Sequence, residues 1–302
     1  MPTYTCYGLR IESALALPEL LIPSDKRSES APIDIIINFG DISPDGLPDA
    51  KQLGPYIWVT DQSLWLEVPY VARFLISDGN QITIDPAPGI DEDSIRVFLL
   101  GSGLGVLLFQ RGFLVLHGNA IRIGDQSMIC VGHSGTGKST LAAGFAKRGY
   151  NIVADDVVPV DANCSVLPGF PRLKLWQDTA EQLGIETSEL RRIRPELYKF
   201  NYPLHDRFAH QTLPIRWVYI LSTHKEPDIK FKAIRGLQRF NHLRNNTYRI
   251  RFMEGQLLKV QHLKRCGQLA GRIHLSRVTR PDNGFELEPL IDSILADIEA
   301  HP

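Results

Sequence analysis

Short runs in which apolar and polar residues alternate fill about the first 90 residues of the chain. Residues 34–38, 56–59 and 81–85 form such runs, and proline, glycine and aspartate separate them. A period of two places every second side chain on the same face, which is typical of β-strands. We therefore expect residues 1–90 to form a β-rich N-terminal domain of antiparallel strands.

The pattern then changes to helical spacing. Residues 91–112 are largely apolar and begin with Asp91, Glu92 and Asp93, which suit the electropositive start of a helix. After Gly112, short apolar runs alternate with helical segments, and residues 286–300 have the spacing of an amphipathic helix. The pattern predicts an α+β or mixed α/β protein, with a second domain over residues 91–302.

One stretch of this second domain carries a recognisable chemistry. Residues 132–140 read Gly-His-Ser-Gly-Thr-Gly-Lys-Ser-Thr and fit the pattern G-x-x-x-x-G-K-[ST], between a predicted strand at 127–131 and a predicted helix at 140–148. Small residues let backbone N–H groups surround a phosphate, and the helix N-terminus adds its dipole. The predicted nucleotide-binding residues are Gly132, Ser134, Gly135, Thr136, Gly137, Lys138, Ser139 and Thr140.

Two side chains of this loop have predicted roles toward ATP and Mg²⁺. In loops of this type the lysine, here Lys138, reaches the β- and γ-phosphates. The hydroxyl of the following residue, Ser139, is then a ligand of Mg²⁺. The sequence therefore predicts Mg²⁺ with ATP as the cofactor.

The next predicted strand ends in two carboxylates, Asp155 and Asp156, which follow the apolar run at 152–154. One carboxylate can hold Mg²⁺ while its neighbour accepts the proton of an attacking hydroxyl. The alternative is that the pair ends a strand and starts a turn, as Asp pairs often do. Because the pair comes directly after the loop helix, we favour the catalytic interpretation.

Together these residues resemble the catalytic core of the HPr serine kinase/phosphorylase family. The resemblance covers His117-Gly118, the loop, Lys147-Arg148-Gly149 and Val153-Ala-Asp-Asp156, and it spans residues 116–161. It implies a fold akin to phosphoenolpyruvate carboxykinase and transfer of phosphate to a serine hydroxyl. By position, Asp155 resembles the general base, Asp156 the metal partner, Ser139 the metal ligand and His117 a histidine of the active site.

The chain also departs from that family. His133 stands where the family usually has Asp, Thr140 stands where Glu is common, and only residues 234–237 look like part of its C-terminal signature. Residues 7–11, 17–20, 109–112 and 168–176 instead resemble shorter HPr-kinase-like proteins. Some of these serve lasso-peptide gene clusters and modify a serine at the C-terminus of a precursor peptide, which makes such a serine a candidate acceptor.

Basic residues near the C-terminal half are candidates for binding the substrate. Residues 1–116 contain seven Lys and Arg against fifteen Asp and Glu, whereas residues 216–280 contain fifteen against three. This asymmetry predicts an acidic partner, or else solvated helix faces. Arg172, Lys199 and Arg249 are the predicted contacts with substrate or phosphate, with Lys174 on the same strand face as Arg172 and with Asn246 and Tyr248 near Arg249.

Composition and motifs bear on disulfides, zinc, membrane spans and nucleic-acid binding. Four scattered cysteines predict neither a disulfide framework nor a zinc site and suit a reducing cytoplasm. We expect no membrane span, because the most apolar stretch, at 97–108, is too short, and no nucleic-acid partner, because no recognition motif occurs. A homo-oligomer is compatible with the sequence.

The sequence leaves three candidate functions. The leading one is a cytoplasmic Mg·ATP-dependent serine kinase acting on a peptide or small protein, because paired acids favour transfer over binding alone. The second is a small-molecule kinase or carboxykinase-like enzyme, and the third is a nucleotide-binding regulator or NTP hydrolase without an acceptor.

Overall fold

The first sheet occupies the N-terminal part of the chain. The computed structural model describes residues 1–23, 31–254, 256–282 and 286–302. In those residues the sheet has eight strands in the order β1-β2-β3-β8-β7-β6-β5-β4. The strands are β1 (Thr3–Cys6), β2 (Leu9–Ser13), β3 (Ile35–Phe39), β4 (Lys51–Gly54), β5 (Ile57–Val59), β6 (Ser63–Val68), β7 (Ala72–Ser77) and β8 (Gln81–Pro86).

This sheet is mixed, so the expectation of antiparallel strands alone was wrong. β3 runs parallel to both β2 and β8, while the hairpins from β4 to β8 are antiparallel. Residues 14–34 separate β2 from β3, and residues 40–80, which include β4 to β7, separate β3 from β8. Only such a long connection can return the chain to start a parallel neighbour. Alternation within a strand reports which side chains are buried and not the direction of the next strand.

The predicted helix over 91–112 is a helical segment in three parts: α1 (Glu92–Phe98), a π-helical turn (Leu99–Gly103) and α2 (Leu104–Gln110). Asp91 caps its start, because its Oδ1 accepts a hydrogen bond of 2.8 Å from the N–H of Ser94. The segment is buried and shares one hydrophobic cluster with the first sheet, which Tyr248 and Phe252 also join. Residues 92–110 thus pack against the N-terminal sheet.

The second sheet holds the phosphate-loop motif. Its strands are β9 (Leu114–Ile123), β10 (Gln126–Gly132), β11 (Ile152–Val160), β12 (Ser165–Val166), β15 (Leu213–His224), β16 (Lys230–Ala233) and β17 (His274–Pro281). β10 lies between β9, to which it is antiparallel, and β15, to which it is parallel. β12 pairs with both β11 and β15. The pairings β9–β10, β10–β15, β15–β12, β12–β11 and β11–β9 therefore form a closed ring of five strands.

A two-stranded ribbon and several helices complete the structure. The ribbon is β13 (Arg172–Trp176) with β14 (Lys199–Pro203), and the helices are α3 (Lys138–Lys147), α4 (Gln177–Gln182), α5 (Leu237–Asn245), α6 (Gln256–Ala270) and α7 (Leu287–Ala300). The last of these confirms the predicted amphipathic helix, with Leu290, Ile291, Ile294 and Ile298 buried. The fold is mixed α/β. Within the described residues, no helix combines the length and apolar character that crossing a membrane requires.

Gly118 is a position where the strand pairing leaves no space for a side chain. It lies opposite Val131, and a Cβ built at Gly118 would overlap the backbone carbonyl of Cys130. The β9–β10 pairing can form at this distance only because glycine lacks that atom.

We therefore expect Gly118→Ala to lower the free energy of unfolding by about 1–3 kcal/mol, the usual range for overpacking, as measured by urea denaturation. Gly267→Ala is the matched control, because it adds the same atom inside α6 with nothing within 4 Å. Better helix propensity should stabilise that variant by up to about 1 kcal/mol. Equal effects of the two substitutions would contradict the steric explanation.

Candidate active site

The predicted phosphate loop connects β10 to α3, as the sequence analysis expected. Gly135 and Gly137 have φ angles of +83° and +95°, in the region that favours glycine. Gly132 permits a close approach of β15, since a Cβ there would lie 2.6 Å from the carbonyl oxygen of Leu221. The glycines of the motif are thus required by the backbone path, which presents the N-terminus of α3 at the loop.

The Lys138 side chain is folded into this loop. Its Nζ donates hydrogen bonds to the carbonyl oxygens of Gly132, at 2.8 Å, and His133, at 2.9 Å. Burial lowers the pKa of Lys138, against the opposing effect of Asp156 and Asp155. An anion beside a buried ammonium group stabilises its charged form, so this position suits a phosphate.

A residue that the sequence analysis missed supports the loop from the other side. The guanidinium of Arg280, at the end of β17, donates to the carbonyl oxygen of Thr136 from Nε, at 3.2 Å, and from Nη2, at 3.1 Å. The same group packs beneath Gly137, where a Cβ would lie 3.2 Å from Nη2. Arg280 therefore holds the turn that leads into α3.

Asp155 lies in the middle of β11 and not at its end, so the predicted strand was too short. Asn119, opposite it on β9, donates a short hydrogen bond from Nδ2 to Oδ1, and the N–H of Lys174 donates to Oδ2 at 2.8 Å. These donors let the strand continue through a buried acid. Burial, followed by the charge of Asp156, raises the pKa of the Asp155 carboxyl.

Asp156 has the opposite electrostatic environment. Its Oδ2 accepts a hydrogen bond of 2.9 Å from Lys174 Nζ, and its Oδ1 lies 3.3 Å from His117 Nδ1. Burial opposes ionisation, but Lys174 and His117 hold the pKa of Asp156 well below its ordinary value. Asp155 therefore has a higher proton affinity than Asp156. Such a difference would suit a pair in which one carboxyl accepts a proton and the other stays ionised.

The backbone at Asp156 explains how both carboxylates face the same cavity. Successive side chains on a strand point to opposite faces. Asp156 has a φ of +70°, in the left-handed region, which interrupts this alternation. Non-glycine residues in that region cost about 1–3 kcal/mol and cluster at functional sites.

Two cavities meet at these residues. The first, which we call the loop cavity, has a volume of about 210 Å³. Its lining includes Ser134, Gly135, Gly137, Lys138, Ser139 and Thr140 of the loop and Asn119, Asp155, Asp156, Lys174 and Lys199 of the strands. The second, the basic cleft, has a volume of about 990 Å³, and its lining includes Arg244, Arg249, Arg277, His117, His133 and His242. His117, Ser134 and Asp156 line both.

The donor set of the loop cavity fits Mg²⁺. Ser139 and Asp156 line the same cavity, and hydroxyl and carboxylate oxygens are ligands that this ion prefers. Asn119 Oδ1 is a further buried oxygen beside them that has no hydrogen-bond donor within the described residues. Ser139 and Asp156 are the residues that would hold the ion.

The structure separates the other predicted cations. Lys199 lines the loop cavity, with its Nζ 5.1 Å from the ring centroid of Trp176. Arg249 lines the basic cleft together with Asn246 and Tyr248. Arg172 is instead buried behind the site, where its guanidinium donates to Asn201 and lies over Phe170. It lines a separate surface cleft with Glu19 and Glu189 and does not line the loop cavity, although Lys174 on the same strand does.

Asn119 was not among the predicted site residues, and Lys174 was predicted only as a neighbour of Arg172 on one strand face, although both contact the acid pair. A signal existed for Asn119, because it lies two residues after His117 and so shares its face of β9. Lys174 comes from the ribbon β13–β14, and nothing in the local pattern indicates which acid it meets.

No protein-family profile and no curated protein match the chain. Among solved structures, the chain is similar to the HPr(Ser) kinase/phosphatase from Coxiella burnetii, with 14% sequence identity, a TM-score of 0.29, and coverage of 62% of this chain and 90% of that chain.

The left-handed backbone at Asp156 can be tested by stability. Asp156→Gly and Asp156→Ala both remove the carboxylate, but only alanine retains the steric cost of this conformation. We expect the glycine variant to have the larger free energy of unfolding, by about 1 kcal/mol, in urea denaturation. At Arg122, on the same sheet without a positive φ, the order should reverse. A more stable alanine variant at position 156 would contradict the assignment.

Proposed function

We propose that this protein is a Mg·ATP-dependent serine kinase that transfers the γ-phosphate to a serine of a peptide or small protein. One observation carries the proposal: the phosphate loop and both acids line one cavity, which opens beside a second cavity large enough for an acceptor. A nucleotide-binding regulator would need the loop and a metal ligand but not a second, proton-accepting carboxylate.

The loop and its lysine account for nucleotide binding. Backbone N–H groups of residues 134–139 and the N-terminus of α3 would bind the phosphates, and Lys138 would exchange its two carbonyl partners for phosphate oxygens. Lys199 is a further cation in the same cavity. Mg²⁺ at Ser139 and Asp156 would supply charge neutralisation at the phosphate oxygens.

Asp155 is the group we assign to the acceptor proton. The serine oxygen would form a bond to the γ-phosphorus while the bond to the β–γ bridging oxygen breaks, which gives phosphoserine and ADP. The hydroxyl proton would pass to Asp155 and then to solvent. A raised pKa makes Asp155 a stronger base than an ordinary carboxylate. The hydrogen bonds from Asn119 and Lys174 fix its orientation.

The acceptor would enter through the basic cleft, since that cleft shares His117 and Asp156 with the loop cavity. A serine at the C-terminus of a short peptide can reach a recessed base more readily than a serine on a folded surface. We therefore propose such a peptide, as in precursor-peptide modification, as the acceptor class.

The first test identifies the acceptor. With Mg·ATP, the protein should phosphorylate a peptide that ends in serine, with the added phosphate located by mass spectrometry. Lys138→Ala should abolish labelling and weaken ATP binding in calorimetry, because it removes the cation at the phosphates. Lys264→Ala, an exposed lysine on α6, is the control that should retain both. Labelling of folded HPr and not of the peptide would replace the proposed acceptor class, and labelling of a small hydroxy compound alone would favour the small-molecule kinase.

The acid pair gives a second test. Asp155→Asn should lower the turnover rate by roughly 10²–10⁴ but still bind Mg·ATP. Asp156→Asn should instead reduce the part of ATP affinity that depends on Mg²⁺, as calorimetry with and without the ion would measure. Asp125→Asn, in the exposed turn between β9 and β10, is the matched control. Wild-type turnover by Asp155→Asn would remove the base assignment.

A further inference from the structure

The basic cleft contains positive charge that the protein itself does not neutralise. Several arginines elsewhere are paired with acids, such as Arg73 with Asp85 and Arg96 with Glu92. In the part of the chain that the structure describes, neither Arg244, Arg249 nor Arg277 has a carboxylate within 4.0 Å. Asp156 is the one acid among the described residues that line the cleft, and Lys174 already neutralises it.

Arg249 is held in place at a cost in backbone free energy. Its φ and ψ of 41° and 49° lie in the left-handed region, which non-glycine residues rarely adopt. Its guanidinium carbon lies 5.6 Å from the ring centroid of Tyr248 and 5.8 Å from that of Phe252, and its Nε donates to the Tyr248 hydroxyl at 3.2 Å. A strained backbone and a fixed guanidinium indicate a group that is positioned for a ligand.

Arg277 lies on β17 and is oriented by a contact with a neighbouring helix. Its Nη2 lies 3.4 Å from His242 Nε2, on the neighbouring helix α5. Burial and the charge of Arg277 lower the pKa of His242, so a neutral imidazole can accept this hydrogen bond. Arg244, on the last turn of α5, adds a third guanidinium to the lining. Guanidinium groups from two elements and a loop thus line one concave surface.

We propose that Arg244, Arg249 and Arg277 form an anion subsite that binds a carboxylate of the acceptor, beside the hydroxyl that receives the phosphate. The subsite deepens the proposed kinase function and rests on it. Guanidinium groups are suited to carboxylates because their planar donors match both oxygens. The carboxylate can belong to the C-terminus of the peptide or to an acidic side chain next to the serine.

Three peptides distinguish these sources: one ending in serine with a free carboxylate, the same peptide as a carboxamide, and the carboxamide with Asp before the serine. Binding is measured without nucleotide, by fluorescence anisotropy of an N-terminal label, so the result does not depend on transfer. We expect the free carboxylate to bind at least about tenfold more tightly than the carboxamide, since hydrogen bonds to charged groups contribute that much or more. Tight binding of the Asp peptide alone would assign the subsite to a side-chain carboxylate.

The double variant Arg249→Gln/Arg277→Gln should bring the ratio of these affinities close to one. The matched control Arg235→Gln/Arg251→Gln removes two exposed arginines that do not line the cleft and should leave the ratio unchanged. Circular dichroism of both variants checks folding. Equal binding of all three peptides by the wild-type protein would overturn the subsite.

Addition of Mg·ATP separates the subsite from the kinase function. If both hold, the double variant should raise KM for the carboxylate peptide and leave KM for ATP unchanged. A carboxylate preference in binding without any phosphate transfer would support the subsite and contradict the proposed function. Transfer at equal efficiency to the carboxylate and carboxamide peptides would support the function and overturn the subsite.

Discussion

Two neighbouring carboxylates inside a protein are stable only when the surrounding groups compensate their charge and satisfy their lone pairs. The rest of the site depends on this constraint. β13 supplies Lys174, whose side chain meets one acid and whose backbone meets the other, while β9 supplies Asn119 and His117. Because each contact requires a particular register, the compensation of Asp155 and Asp156 also fixes how three strands lie relative to one another. The same contacts therefore contribute to the stability of this region and set the electrostatics of the site.

Local sequence was sufficient to predict the strand, glycine-rich loop and helix over residues 126–147. Their requirements lie in consecutive residues: a buried strand, glycines at positive φ, a lysine and the start of a helix. The partners that tune the site come from distant segments. Arg280 reaches the loop from β17, and Lys174 reaches the acids from a ribbon that local patterns do not connect to them. Pairing between distant strands is a property of the whole fold, so a single sequence gives no direct signal of it.

The differences between prediction and structure also have physical causes. Strand alternation would direct Asp155 and Asp156 to opposite faces, and only a backbone departure at Asp156 places both on the same cavity. Likewise, an apolar helical pattern over 91–112 does not reveal the π-helical turn at Leu99–Gly103, because its side chains are buried on all sides. Arg172 shares a strand with Lys174, but burial against Phe170 and Asn201 keeps it away from the loop.

For the proposed kinase reaction, the arginines of the basic cleft would have a consequence for turnover. Phosphorylation makes the product more negative than the acceptor, so a surface that attracts the acceptor would retain the product more strongly. Product release would then limit the rate, as it does in many enzymes. Salt screens exposed charges over distances of about 10 Å at 0.1 M. Rising ionic strength would therefore weaken capture of the acceptor and accelerate departure of the product, so the fastest cycle would occur at an intermediate salt concentration.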